Sequence, residues 1–442
     1  MPTGQPEALI TIHDAGPRFF RFYSADTATK VSLPGIGEGE GRMKEIYLDN
    51  NATTKVDEEV FEEMRPYFCE LYGNPSSMHF FGGQVQQKVD EARRRVAALL
   101  GASPDEIIFT ACGTESDNAA IRSALEVFPE RRHVITSRVE HPAVLTQCRN
   151  LTRKGYRVTE VGVDGEGRLD MDGYRRALDE DTAIVTLMYA NNETGVIFPI
   201  EEAAVTARAK GALFHTDAVQ AVGKVRFDLS SSNIDLLSIS GHKLHAPKGI
   251  GVLYLRRGTP FRPFLVGGHQ EKSRRAGTEN AAAIIALGKA CELAGQHMEI
   301  ENTQVKAQRD RLQSELMARI PHARINGGAA ERLPNTLNIA FEFVEGEAIL
   351  LLLNELGICA SSGSACTSGS LEPSHVLRAM GVPFTCAHGS IRFSLSRFTT
   401  DAEIDTVIRE LPPIIARLRQ MSPFGHDESQ SHHHVAKGEL SC

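Results

Sequence analysis

Between residues 105 and 257, short apolar runs alternate with stretches whose apolar positions recur at helical spacing. The runs are Ile107-Ile-Phe-Thr110, His133 to Val139, Arg157 to Val163, Ala183 to Ala190, Ala212 to Ala218, Leu236 to Ser240 and Gly251 to Leu255. This alternation predicts an α/β fold with a mostly parallel seven-stranded sheet covered by helices on both faces. Ligands of such sheets bind outside the carboxyl ends of the strands. After a long polar helical stretch over about 280–320 the pattern changes to a strand from Thr336, a helix Glu347 to Leu356, a strand-like Ile358-Cys-Ala360, a helix Ser374 to Met380 and a strand Ser390 to Leu395. A final amphipathic helix, Asp401 to Met421, completes what reads as a smaller α+β domain. The expected division is a large domain over 59–300 and a small one formed by 43–58 with 301–423.

Composition narrows the class. The chain has 442 residues, 41% of them hydrophobic, a formal net charge of −8 and a pI near 6.1. That balance argues against a broad electrostatic footprint for nucleic acid or an anionic membrane. Aliphatic runs such as Ala348 to Leu353 fall far short of the roughly 18 residues a membrane span requires. No basic region followed by an apolar core opens the chain, so a cytoplasmic location is the expectation. Residues 1–42 read as a disordered extension or a mis-assigned start, with translation expected to begin at Met43, and 424–442 as a polar tail. None of the eight cysteines forms a C-x-x-C pair, which excludes a recognisable disulfide framework or zinc site.

The chemistry-bearing residues cluster at predicted strand ends. Ser240-Gly-His242-Lys243 puts a lysine directly after a buried strand; burial favours the neutral amine that forms Schiff bases, although Lys248 competes for that role and a surface loop would serve equally. Cys112-Gly113-Thr114 opens a helix whose free N–H groups suit a phosphate, or is simply a tight βα turn. Asp217 presents a carboxylate where a pyridine ring used as an electron sink needs one against its nitrogen, or caps the next helix. His141, followed by Pro142, stands at a strand-to-helix junction and can stack on a ring and move protons, or again act as a cap. Asn192 follows another strand and can hydrogen-bond a ring substituent or substrate. The stretch Ala360-Ser-Ser-Gly-Ser-Ala-Cys366-Thr-Ser-Gly-Ser-Leu371 displays one thiol on a Gly/Ser loop, an atypical setting for cysteine and one suited to a nucleophile that passes on its cargo.

These residues carry a family resemblance that runs from about Tyr47 to Pro423. Its markers are Tyr47-Leu-Asp-Asn-Asn-Ala-Thr-Thr54, Gly73-Asn-Pro-Ser-Ser77, Gly113-Thr-Glu-Ser-Asp-Asn118, Glu140-His-Pro142, Asn191-Asn-Glu-Thr-Gly195, Ser240-Gly-His-Lys243, Arg275-Ala-Gly-Thr278 and the Cys366 stretch. In these the chain resembles the cysteine desulfurases, class V pyridoxal-phosphate enzymes of transferase fold type I, and in wording it is nearer the nitrogen-fixation branch. The resemblance implies that Lys243 holds the cofactor, that Gly113, Thr114, Ser240 and His242 surround its phosphate, and that Asp217, Gln220, Asn192 and His141 contact its ring. Thr278 is implied to reach the phosphate of a neighbouring subunit, hence a homodimer. Arg392 is implied to clamp the α-carboxylate of L-cysteine, and Cys366 to take its sulfur as a persulfide. An iron-sulfur scaffold protein as sulfur acceptor follows from the same likeness, with Cys366 a ligand of a transient [2Fe-2S] cluster shared with it. A selenocysteine lyase, a housekeeping desulfurase and a class V aminotransferase are the rival enzymes; a non-catalytic sulfur carrier is the rival of another kind.

Overall fold

A computed structural model describes residues 45–362 and 373–422. The expectations for the N-terminal extension, for Cys366 and for the C-terminal tail therefore lie outside the described residues. Twelve strands are found among those described: β1 (Ile46–Tyr47), β2 (Ile107–Thr110), β3 (His133–Ser137), β4 (Arg157–Val161), β5 (Thr182–Met188), β6 (Leu213–Asp217), β7 (Leu236–Ser240), β8 (Gly251–Leu255), β9 (Ala323–Ile325), β10 (Thr336–Phe341), β11 (Ile358–Cys359) and β12 (Ser390–Ser394).

The expected large sheet forms, in the order β2-β8-β7-β6-β5-β3-β4. All neighbours are parallel except β8, which runs antiparallel to both β2 and β7. Strands β2, β3, β5, β6, β7 and β8 are buried along their whole length, and only the edge strand β4 reaches solvent. Their continuous Ile, Val, Leu and Phe runs, rather than an in-out alternation, are what burial on both faces demands. Gly251 lets β8 approach the turn that follows β2, because a Cβ there would stand 2.7 Å from the carbonyl carbon of Cys112.

The stretch expected to be a long polar helix is helical but differs in character. Ala281–Ile300 buries twelve of its twenty residues against the large sheet's core, a π-helical turn Glu301–Val305 follows, and only Lys306–Arg319 is predominantly polar. Reading the forty positions together averaged an apolar helix with a charged one.

A second core surrounds the antiparallel sheet β12-β10-β9, where Leu337, Ile339, Phe341, Ile391 and Phe393 pack on Leu312, Leu316, Ile404, Val407 and Leu411. The closing helix Asp401–Met421 starts on a capping box in which Thr400 and Glu403 satisfy each other's backbone N–H. Strand β1 joins this core by pairing in parallel with β11, and the chain then crosses to the large sheet. There Thr54 N–H donates to the His242 carbonyl and Asp57 N–H to the His245 carbonyl, each at 3.0 Å. Residues 49–54 thus lie over the turn that carries Lys243.

Candidate active site

Lys243 follows the carboxyl end of β7 in a short 3-10 turn, Gly241–Lys243. Its Nζ donates to the carbonyls of Ala52, at 2.7 Å, and of Asn51. Burial, reinforced by the positive charges of Arg392 and Lys224, pushes its pKa down to about 7, against the smaller pull of Asp49 and Asp217. Lys248, its sequence competitor, is exposed. His242 donates or accepts at Thr53 Oγ1, 3.1 Å away, and burial with the nearby Lys243 charge pushes its imidazole down to about 4.

Asp217 closes β6 in a buried position, and its Oδ1 accepts the Val219 N–H at 2.9 Å; turns and no helix follow, so Asp217 caps a turn and not the expected helix. Burial raises its pKa, while the charges of His141 and Lys243 pull it back. His141 does cap its helix: Nδ1 accepts the Ala143 N–H at 3.2 Å, which leaves the proton of the neutral ring on Nε2. Desolvation holds that imidazole below its usual range. Gln220 Nε2 donates to the same Asn51 carbonyl that takes Lys243, at 3.0 Å, and Gln220 Oε1 is buried without a partner among the described residues. The helix Gly113–Val127 begins without a side-chain cap, and a Cβ at Gly113 would come within 2.9 Å of Val219 and 3.4 Å of Ser240, so backbone alone fits there. Thr114 stands exposed at the same helix start.

Arg392, on β12, is buried, with Nη1 on the Asn192 carbonyl at 2.9 Å and Nη2 on Asp49 Oδ1 at 2.8 Å. Its Nε has no partner among the described residues. Its backbone exchanges both hydrogen bonds with Ser361, two residues before the undescribed 363–372. On the far side of that segment, Ser374 donates to the buried carboxyl of Glu193 and His375 Nε2 meets the Glu140 carbonyl at 2.9 Å. Both described ends of the Cys366 segment therefore touch the neighbourhood of Lys243. Thr278 does not join this cluster; it is exposed and shares a surface pocket with Thr110, Ala111, Gly249 and Arg275.

Several contributors escaped the sequence reading. The carbonyls of Asn51 and Ala52 belong to a marker motif that carried no assigned role, and backbone acceptors leave no side-chain signature. Glu140, wholly buried, accepts from Ser137 at 2.6 Å and from the Met188 N–H at 2.9 Å, and burial pushes its pKa up to about 8. Its position beside His141 in Glu140-His-Pro142 was the available signal.

The family model for class V aminotransferases matches residues 46–407. The chain belongs to that family. It is 63% identical over 383 residues to a protein of Azotobacter vinelandii named cysteine desulfurase NifS, covering 86% of this chain and 95% of that one. A cysteine desulfurase of Trichormus azollae is 61% identical over 387 residues, covering 88% of this chain and 97% of the other. Among solved structures, a NifS-like protein superposes with a TM-score of 0.80 at 39% identity, over 85% of this chain and 100% of its own.

Proposed function

We propose that this class V enzyme is a cysteine desulfurase that converts L-cysteine to L-alanine and leaves the sulfur as a persulfide on Cys366. The observation that carries the reading is Lys243: a strand-end lysine whose pKa is pushed down to about 7, facing a buried carboxylate, in a chain more than 60% identical to named cysteine desulfurases.

The residues fit pyridoxal phosphate. Asp217, a buried carboxylate whose pKa burial raises, is stabilised by any cation set against it, as a protonated ring nitrogen would be. The uncapped start of Gly113–Val127, with Gly113 admitting no side chain, suits a phosphate beside Ser240 and His242. Gln220 Oε1 supplies a buried acceptor in want of a donor. Lys243 would hold the cofactor covalently, with Thr114, Asn192 and His141 completing the contacts and Thr278 serving the partner subunit's site. When bound, the cofactor stores the electrons released at the substrate Cα.

In the turnover we infer, Lys243 Nζ takes the α-proton of cysteine and returns a proton to carbon, a task that needs an amine titrating near neutrality. Arg392 holds the substrate α-carboxylate. The Cys366 thiolate attacks the substrate sulfur; the S–S bond forms as the Cβ–S bond breaks, the electron pair stays with the substrate carbon skeleton, and protonation there completes alanine. Arg392→Lys is expected to raise KM for L-cysteine roughly tenfold or more while leaving the cofactor's visible band in place, because a planar two-pronged donor becomes a point charge. An unchanged KM in steady-state assays removes Arg392 from substrate binding.

Mixing purified protein with L-cysteine and a thiol reductant is expected to yield alanine and sulfide in equal amounts. Bound cofactor without alanine moves the selenocysteine and aminotransferase readings forward. We further infer a homodimer, supported by the exposed apolar side chains Phe68, Tyr72, Met78, Phe80 and Val266 and by the surface position of Thr278. A scaffold protein that builds iron-sulfur clusters is the acceptor we favour, with Cys366 briefly ligating a [2Fe-2S] cluster shared with it. The likeness to NifS supports a service to nitrogenase maturation. No described helix is long and apolar enough to cross a membrane, and we place the reaction in the cytoplasm. Two separate cores support a division into a cofactor-binding domain, 59–300, and a small domain, 43–58 with 301–423.

A further inference from the structure

Beside Lys243 lies a cavity of about 30 Å³, room for about two water molecules. Lys243, Lys224, Glu301, His245, His297 and Arg397 contribute to its wall. Nothing in the turnover described above uses Lys224 or Glu301, yet both are placed with care.

Glu301 is the first residue of the π-helical turn between Ala281–Ile300 and Lys306–Arg319, a form rare outside functional sites. The turn delivers a carboxyl that is only 7% exposed, with Oε2 lacking a hydrogen-bond partner among the described residues. The next residue, Asn302, donates at 2.9 Å to the Lys224 carbonyl and so ties the turn to the segment carrying the second lysine. Lys224 Nζ in turn donates to the Gln220 carbonyl at 3.1 Å. Gln220 meets Lys243 at a shared acceptor, the Asn51 carbonyl. A continuous set of hydrogen bonds therefore runs from Glu301's turn to the reactive amine. Lys224 also borders a wide cleft lined by Tyr189, Phe198, Arg226 and Asn302, so it stands between bulk solvent and the cavity.

We propose that Lys224 and Glu301 are positioning residues that face each other as an ion pair across this cavity and set how readily a proton resides on Lys243. The proposal rests on Lys243 being the cofactor-bearing lysine. A lone Lys224 ammonium disfavours a second cation nearby, and the Glu301 carboxylate moderates that repulsion, so the pair acts as a charge trim on Lys243. Burial raises the pKa of Glu301, and the charges of Lys224 and Arg397 with the Arg397 backbone N–H offset part of that rise; burial likewise lowers the pKa of Lys224, and Glu301 offsets part of it. The other charges facing Lys243 come from different elements: Arg392 on β12, Asp49 after β1, Asp217 on β6, and the imidazoles of His141 and His242. Facing the Lys224 side are His245 and Arg397. None of these is altered by the two substitutions below.

The test is the pH midpoint of the visible absorption band of the cofactor-loaded protein, a reading of the charge at Lys243 that does not depend on turnover. Lys224→Met is expected to move the midpoint up by about one pH unit, because a neighbouring positive charge is gone. Glu301→Gln, nearly isosteric, is expected to move it down, because Lys224 then acts unopposed; it also carries the test if Lys224→Met does not fold. A purely structural role lowers the melting temperature and leaves both midpoints at the wild-type value, which overturns the inference, as do shifts of the same sign. A wild-type protein with no band dependent on Lys243 overturns the cofactor reading and this inference with it, whereas a normal band with unmoved midpoints overturns this inference alone.

Discussion

Lys243→Ala is expected to yield a folded protein with no covalently bound cofactor and with cysteine turnover reduced roughly 10³-fold or more. Three observations set the size of that effect. The amine ends on two backbone carbonyls, those of Asn51 and Ala52, which fix its direction. Desolvation together with the charges of Arg392 and Lys224 brings its pKa to about 7, so about half the population is a free nucleophile at neutral pH, where an exposed lysine is almost wholly protonated. Among the described residues, neither neighbouring lysine can take over by a small movement: Lys248 lies in solvent and Lys224 is bound to the Gln220 carbonyl. Reduction with borohydride followed by peptide mass mapping checks the assignment directly, and a cofactor still attached to the Lys243→Ala chain would transfer the role elsewhere.

The same shift has a consequence for the cofactor-free protein. The unfolded chain holds a proton on this lysine up to its ordinary value of 10.5, while the native chain gives it up near 7. As pH falls from 10.5 to 7 the unfolded state therefore binds the proton first, and native stability declines; below 7 both states are protonated and the loss is constant. Replacing Lys243 by Met removes that burden. Denaturant melts of the two cofactor-free proteins are expected to diverge across this window in favour of the variant, and to run parallel below it.

How much of this was legible in the sequence follows from what kind of contact makes each feature. The large sheet was readable because strands buried on both faces must be written as unbroken apolar runs, and Leu236 to Ser240 and Gly251 to Leu255 match β7 and β8 to the residue. Strand order was not, since nothing in Gly251-Val-Leu-Tyr-Leu255 states that it inserts antiparallel between β2 and β7. The candidate site residues at strand ends stood out because the chemistry proposed for them resides in side chains. Those that act through main chain, such as Asn51 and Ala52, or from the opposite core, such as Asp49 on Arg392, depend on contacts spanning about 190 to 343 residues of sequence, which no local pattern encodes. Glu301 illustrates a third case: in a helical stretch of mixed polarity one more glutamate is unremarkable until the π-helical turn shows which way it faces.

Cys366→Ala is expected to keep the cofactor's visible band and its response to added cysteine, and to lose roughly 10³-fold or more of both alanine and sulfide formation. Cys366 lies outside the described residues, but covalent geometry limits where it can act. It stands four positions after Ser362, a reach of at most about 14 Å, and Ser361 exchanges both backbone hydrogen bonds with Arg392, the proposed carboxylate clamp. Seven residues further on, Pro373 leads into Ser374 and His375, which are fixed to Glu193 and to the Glu140 carbonyl. Both described ends of the segment that carries the thiol are thus anchored to residues of the candidate site. The other cysteines are poor substitutes: burial pushes Cys148 and Cys291 up to about 12 and raises Cys359 and Cys386, so at neutral pH they remain thiols rather than thiolates. Sulfide released from Cys366→Ala at the wild-type rate would leave, among the described residues, two candidates for the nucleophile, exposed Cys69 and partly exposed Cys112. Of these Cys112 is the stronger, because it immediately precedes Gly113, which packs against Ser240 at the end of the strand before Lys243.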